Sequence, residues 1–294
     1  MCLLSMMKKT IFIVLFLQTT LLFSAVRYDQ IVSKLSSFEK AYPQQVKVIS
    51  IGKNNDNQDI LALRISDTPT ILDPTKYGML VVATHHGNEG ESADVALALV
   101  SKILSTYLPN NYEYYVIPVL NIPGYNQNIR EEKGYDPNRD YPSPCKTTPN
   151  YYLKSTKALS DLMNLRPFSA SVTLHGFVGT FTYPWGISTN ETHTSDQAYF
   201  DAITSKVAAI DHYDYGTSTD VIYPSEGCFE DWSYWNGGVW SLLLEIKYRS
   251  NADIKDNVEA LYYFFTNVEL IPSSNHAFTG TCTNSWRTVD LHLE

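Results

Sequence analysis

Met79-Leu80-Val81-Val82-Ala83-Thr84-His85-His86-Gly87-Asn88-Glu89-Gly90-Glu91 is the stretch that decides the fold. Five consecutive apolar residues predict a strand covered on both faces, since a strand with one wet face would alternate. From Ser92 to Leu104 the apolar residues recur at helical spacing, so the strand passes through a short polar turn into an amphipathic helix. In open α/β sheets ligands bind outside the carboxyl ends of the strands, which makes that turn the first place to look for chemistry.

The pattern extends in both directions. Residues 28 to 42, with Ile31, Leu35, Phe38 and Tyr42 on one face, read as a helix ended by Pro43. Val46 to Ile51 and Ile60 to Ile65 read as a hairpin around the polar turn from Lys53 to Asn57. Further strands are predicted over Tyr114 to Leu120, Val172 to Leu174 and Val239 to Ile246. They are separated by helices over Tyr152 to Leu165 and Gln197 to Ile210, and a last helix covers Ile254 to Val268. Continuous apolar strands separated by helices define an α/β class: one domain with a mixed, mostly parallel twisted sheet and helices on both faces. There is no internal repeat or linker, and the tail from Ser273 to Glu294 gives no readable pattern.

Composition narrows the function classes. The chain has 294 residues, 44% hydrophobic and 18% charged, with 14 Gly and 14 Pro. These values exclude a disordered or fibrous chain and are enough to bury a large core. A formal charge of −9 gives no electrostatic footprint for nucleic acid. Lys8-Lys9, the apolar run Ile11 to Leu17 and Ser24-Ala25 have the order of a signal peptide, too short for a membrane span. Residues 1–25 are therefore expected to be removed, leaving a catalytic domain over 26–294 that is periplasmic or secreted, with no stable membrane span. Cleavage there removes two lysines and no acid, taking the charge to −11. The mature chain would keep Cys145, Cys228 and Cys282, with no CxxC pair, so one internal disulfide at most is allowed and its partners are open.

The candidate chemistry sits at strand ends. His86 and Glu89, three apart in the turn, can grip one cation if the turn and the first helical turn project them to one side. His175, closing the strand from Val172, supplies a third donor. Two histidines and one carboxylate leave a fourth zinc position open, which is the catalytic arrangement. Glu245 ends the apolar run Val239 to Leu244, where a carboxylate is costly to bury without a purpose, and it is the candidate general base. The competing assignment is an ion pair with Lys247 or Arg249. Arg130 and Arg139 are candidates for holding a carboxylate, and local pairing with Asp136 or Asp140 competes with that.

Taken in order, these pieces resemble the zinc carboxypeptidases of the carboxypeptidase A type, over roughly residues 28 to 270. His86-Gly87-Asn88-Glu89 resembles the family's HxxE zinc motif in the form found in its carboxypeptidase E-like branch. Asn121-Ile122-Pro123-Gly124-Tyr125 is similar to an Asn-Pro-Asp-Gly turn, with departures at its middle positions. Asn138-Arg139-Asp140-Tyr141-Pro142 resembles the segment that binds the substrate's terminal carboxylate. Leu174-His175-Gly176 with Tyr183-Pro184 resembles the third-ligand strand. The most specific match is Ile222-Tyr223-Pro224-Ser225-Glu226-Gly227 ahead of Asp231-Trp232-Ser233-Tyr234 and Glu245-Ile246-Lys247.

The resemblance implies an eight-stranded sheet and a zinc-dependent exopeptidase acting on peptides with a free C-terminal carboxylate. It implies one Zn²⁺ on His86, Glu89 and His175, Glu245 as general base and Arg130 at the oxyanion. Asn138 and Arg139 would hold the terminal carboxylate under Tyr223. Asn88 stands where some members carry an arginine, which weakens any secondary carboxylate subsite. Glu230 matches the base of the pocket for the departing side chain, where an acid favours Lys, Arg or a diaminopimelate-type residue, including those of peptidoglycan stem peptides.

Three rivals remain at this level: a serine hydrolase using Ser225, Asp231 and His276, an amidase or deacylase on the same fold, and an exported peptide-binding protein without turnover. The stretch between the signal and Tyr28 is too short for a folded pro-domain. A chain beginning at Val26 is therefore expected to cleave peptides without prior proteolysis, and a requirement for trypsin treatment would contradict this.

Overall fold

In the computed structural model, residues 28–106, 111–145, 151–187, 193–247 and 250–282 are described. Helix α1 (Tyr28–Ala41) leads into β1 (Val46–Lys53) and β2 (Asp59–Ile65), the predicted antiparallel hairpin. Then come β3 (Tyr77–Ala83), α2 (Glu91–Ser105), β4 (Tyr112–Ile117) and the short helix α3 (Ile122–Gln127). A 3-10 turn at Pro137–Arg139 precedes α4 (Lys154–Leu165), β5 (Phe168–Gly176) and β6 (Thr180–Tyr183). The chain continues through α5 (Gln197–Asp211), β7 (Asp214–Thr217), α6 (Ser218–Val221) and α7 (Phe229–Gly237). It closes with β8 (Trp240–Ile246) and α8 (Asn251–Asn267).

One eight-stranded sheet results, in the order β1-β2-β4-β3-β5-β8-β6-β7. The inner strands β4, β3, β5 and β8 are mutually parallel, while β2 and β6 flank them antiparallel. Met79 to Ala83 are fully buried, as expected of a strand covered on both faces. The mixed, mostly parallel single-domain architecture is thus as the sequence indicates.

Several elements differ from the expectation for physical reasons. The strand expected to reach Leu120 stops at Ile117, because Pro118 has no N–H to donate to a neighbouring strand. The strand expected over Val172 to Leu174 runs over the whole of β5, where Ser169, Ser171 and Thr173 interrupt the apolar pattern yet are buried. Their hydroxyls bond inside the protein: Ser171 Oγ lies 2.8 Å from Ser241 Oγ and 3.1 Å from Ser233 Oγ. β6 and β7, four residues each, are too short to show a period. α7 has buried residues around most of its circumference and therefore lacks the amphipathic stripe that marks a surface helix.

The open cysteine question resolves as Cys145–Cys282, with Cys228 a buried free thiol. That bond fastens the tail to the segment after the 3-10 turn. Closing a loop of sequence separation 137 stabilises the fold by about 5 kcal/mol on chain-entropy grounds. The proposed signal, residues 1–25, lies outside the described residues. Among the described residues no helix is long and apolar enough to cross a membrane.

Asp211, the last residue of α5, has no hydrogen-bond partner for either carboxylate oxygen among the described residues. Burial, then Asp256 and Asp253, push its carboxyl up to about 7, and the negative end of the helix dipole acts in the same sense. An acid raised in the folded state binds more protons folded than unfolded, so stability falls as pH rises from the ordinary aspartate range towards 7. Asp211→Asn is expected to raise Tm at pH 8 and leave it unchanged near pH 3.5. Equal Tm shifts at both values would refute the titration argument.

Candidate active site

β4 and β5 lie on opposite sides of β3, so the direction of winding reverses there and opens a crevice beyond the strand ends. His175 on β5 stands beside Glu245 on β8 in parallel register, so both side chains leave the same face of the sheet. His86 and Glu89 come from the turn after β3. Glu89 lies two residues ahead of α2, not in its first helical turn as the spacing suggested.

Local backbone makes that turn possible. Thr84 adopts φ 53°, a left-handed conformation costly for a β-branched residue. It is held by Ser92 Oγ on its N–H and by its own hydroxyl donating to the Pro118 carbonyl. Gly87 is required by close approach: a Cβ there would lie 2.0 Å from the backbone of Gly124. Gly124 is in turn gripped by Asn121, whose Oδ1 accepts from its N–H and whose Nδ2 donates to the carbonyls of His85 and Arg130.

His86 Nδ1 is 2.8 Å from Glu89 Oε1 and 3.1 Å from His175 Nδ1, and His175 Nδ1 is 3.0 Å from Glu89 Oε2. One donor atom from each residue falls within 4.8 Å of the others, and all three residues are buried. Two imidazole nitrogens face each other across a carboxylate. A proton can satisfy one of those contacts at a time, whereas a cation satisfies all three, and a nitrogen, nitrogen and oxygen set suits Zn²⁺. The three residues therefore fit a zinc ion. Burial acts first to raise the Glu89 carboxyl, but His86 and His175 outweigh it and hold it down at about 2. A donor that stays ionised without difficulty is what a metal needs.

Asp136 completes the support in a role the sequence did not reveal. Its Oδ1 lies 3.0 Å from His86 Nε2, the ring nitrogen facing away from the cluster, and its Oδ2 accepts from Arg130 Nε at 3.0 Å and Nη2 at 2.8 Å. The local pairing of Arg130 with Asp136 thus exists, and it also fixes Arg130 with Nη1 3.7 Å from Glu89 Oε1. Asp136 would have been traceable only as the acid two residues before Asn138, where its Oδ1 caps the 3-10 turn.

Glu245, Arg130, Asn138, Arg139, Tyr223 and Glu230 all line the same cleft, whose empty volume is about 600 Å³. Glu245 Oε2 has no hydrogen-bond partner among the described residues. Burial, then Glu89, push its carboxyl up to about 8. Arg249, one of its competing partners, lies outside the described residues. Arg139 Nη2 donates to the Tyr223 hydroxyl at 3.2 Å, while Nη1 donates to the Asn138 carbonyl at 2.7 Å and lies 3.4 Å from Cys228 Sγ. Asn138 Oδ1 accepts from the Phe229 N–H at 2.8 Å, and its side chain also hydrogen-bonds Glu230. Glu230 is 1% exposed and its Oε2 has no partner among the described residues.

The rival serine set is not assembled. Ser225 Oγ lies 3.0 Å from Cys228 Sγ, the Asp231 carboxylate is taken by the Gly186 N–H, and His276 Nδ1 sits 2.7 Å from the Trp235 carbonyl.

A buried two-histidine, one-carboxylate set at a switch point of a mixed α/β sheet, facing the Glu245 carboxylate and two arginines, is the arrangement expected of a metal-dependent hydrolase. The chain belongs to the zinc carboxypeptidase family (Peptidase_M14), which matches residues 31–279. It is 23% identical to carboxypeptidase B of Astacus astacus over 302 residues, covering 86% of this chain and 93% of that protein. Carboxypeptidase SOL1 of Arabidopsis thaliana is 24% identical over 242 residues, 74% of this chain and 49% of that protein. The chain thus spans about half of SOL1, and the match to human carboxypeptidase D covers only 14% of that protein. Among solved structures, carboxypeptidase A from Helicoverpa armigera shares the fold with a TM-score of 0.73 at 18% identity, over 82% of this chain and 72% of that one. Bovine thrombin-activatable fibrinolysis inhibitor shares it at 0.69 and 19%, over 81% and 94%.

Dialysed protein is expected to retain close to one zinc per chain, and His175→Ala or Glu89→Ala to retain almost none. Unchanged zinc content in both variants would rule out this donor set.

Proposed function

We propose that the chain is a zinc-dependent carboxypeptidase that hydrolyses the last peptide bond of peptides with a free C-terminal carboxylate. The reading rests on one observation above the others: the metal donor set, the Glu245 carboxylate, whose Oε2 has no partner among the described residues, and the Arg139 guanidinium share one cleft.

When bound to His86, Glu89 and His175, zinc supplies Lewis acidity that polarises the scissile carbonyl and acidifies a water. Glu245 takes the proton at its carboxylate and passes it to the leaving amine. Burial keeps this group basic, which suits a proton acceptor. Arg130, oriented by Asp136, stabilises the developing oxyanion. Arg139, with Asn138 beside it, presents a planar fork to the substrate's terminal carboxylate, and Tyr223, whose hydroxyl accepts from Arg139, covers it from the cleft rim. A clamp for that carboxylate at a fixed distance from the reacting carbonyl restricts cleavage to the last residue.

Glu230 supports a preference for cationic terminal side chains. A fully buried carboxylate with one unsatisfied oxygen is costly, and an ammonium or guanidinium from the substrate relieves that cost. Lys, Arg and the diaminopimelate-type residues of peptidoglycan stem peptides share this chemistry. The amino-terminal pattern supports export to the periplasm or the medium. An amidase or deacylase on the same fold would need no carboxylate clamp, which favours the peptidase; so does the complete donor set over a binding protein without turnover.

Glu245→Gln is expected to keep its zinc while kcat falls roughly 10²- to 10⁴-fold. Hydrolysis at the wild-type rate would remove Glu245 from the mechanism. On specificity, peptides ending in Lys or Arg should exceed those ending in Phe in kcat/KM, with the order reversed in Glu230→Gln and amidated C-termini uncut. Equal turnover of Lys and Phe peptides by the wild type would end the Glu230 assignment.

A further inference from the structure

Behind the candidate zinc donors lies a second set of buried polar side chains that the proposed reaction does not use. His175 Nε2 is 3.1 Å from Thr173 Oγ1, Thr173 Oγ1 is 3.0 Å from His85 Nδ1, and His85 Nε2 is 2.9 Å from the Tyr141 hydroxyl. All four residues are at most 1% exposed. Thr173 and His175 share a face of β5 because they are two apart, and the His85 ring stacks on the His175 ring at 5.6 Å between centroids. The chain is continuous, and each link is of ordinary hydrogen-bond length.

We infer that Thr173 and His85 are positioning residues that lock His175 in the tautomer with its Nδ1 lone pair free for the metal. The inference rests on the zinc-site reading above. A neutral imidazole carries one proton, so a ring that gives Nδ1 to a metal must carry its proton on Nε2. That N–H then donates to Thr173 Oγ1, the threonine hydroxyl donates to His85 Nδ1, and His85 Nε2–H donates to the Tyr141 oxygen. Reversed, the threonine hydroxyl would donate to His175 Nε2, placing the proton on Nδ1 and closing the metal position. The direction of three hydrogen bonds is thus tied to metal occupancy, among side chains that are all buried. His86 is held differently, by the Asp136 carboxylate on its Nε2. The two imidazoles therefore have unlike supports, one anionic and one a neutral relay through a hydroxyl.

The decisive readout is the zinc dissociation constant of the full chain, measured by competition with a chromophoric chelator. Thr173→Ser, which keeps the hydroxyl, should stay within about threefold of wild type, whereas Thr173→Val, nearly the same shape without it, should lose roughly 10- to 100-fold. His85→Phe, which keeps a stacked ring, should also weaken zinc, and adding it to Thr173→Val should cost nothing further because the path is already cut. If Thr173→Val fails to fold, His85→Phe decides on the same readout. Nitrogen-15 spectra of the zinc-loaded protein should show His85 protonated on Nε2 and bare on Nδ1. Zinc affinity within threefold of wild type in folded Thr173→Val and His85→Phe, or a His85 proton on Nδ1, would overturn the inference. A wild-type chain that binds no zinc would instead overturn the site reading itself.

Discussion

The arrangement depends on two imidazole nitrogens 3.1 Å apart with a carboxylate across them. Left alone, that is an unfavourable meeting of lone pairs and a buried negative charge, and the surrounding chain is built to hold it in place. Thr84 bends out of the strand, Gly87 lets the turn press against α3, and Asn121 ties both sides of the contact to the backbone. Each of these is an odd local choice taken singly. Together they deliver His86 and Glu89 to the spot that β5 has already fixed for His175. Preorganisation of this kind spares the site any reorganisation when a ligand arrives.

Charge is distributed around that centre in a graded way. Next to the donors stands Asp136, shared between His86 and Arg130, so that one carboxylate orients both a ring and a guanidinium. Further out, Arg139 is bound to the Tyr223 hydroxyl and to the Asn138 carbonyl, and Gly227 allows the Tyr223 loop to approach: a Cβ there would meet the Arg139 carbonyl at 2.6 Å. Glu230 and Glu245, each with one oxygen that has no partner among the described residues, face the same cleft from different elements. Unsatisfied buried oxygens are rare in folded proteins, and two of them lining one cleft mark it as a place made for something else to fill.

Much of this was legible in the sequence, and the reasons are local. The hairpin, β3, α2 and β8 carry strong periodic or continuous apolar patterns, and the residues after them stand out as polar groups at strand ends. The ordered motifs singled out His86, Glu89, His175, Glu245, Arg139 and Tyr223, and the fold brings them to one crevice. What was not legible depends on tertiary partners. The serines of β5 look like a break in a strand until their hydroxyls are seen to bond to β8 and α7. Asp136 looked like the salt-bridge partner of an arginine, and His85 like a neighbour of the interesting residue. The pairing of Cys145 with Cys282 could not be had from spacing, since their separation along the chain says nothing of their distance in space.

That pairing carries a consequence for biosynthesis. The covalent staple joins one of the last described residues to the stretch immediately following the Asn138-Arg139 turn. A nascent polypeptide still attached to the ribosome, with Cys282 inside the exit tunnel, cannot make it. The segment behind the arginine fork is thus fastened only once Cys282 has emerged and the two thiols have met an oxidant. A chain kept among reduced thiols would therefore leave the segment beside the cleft without this fastening.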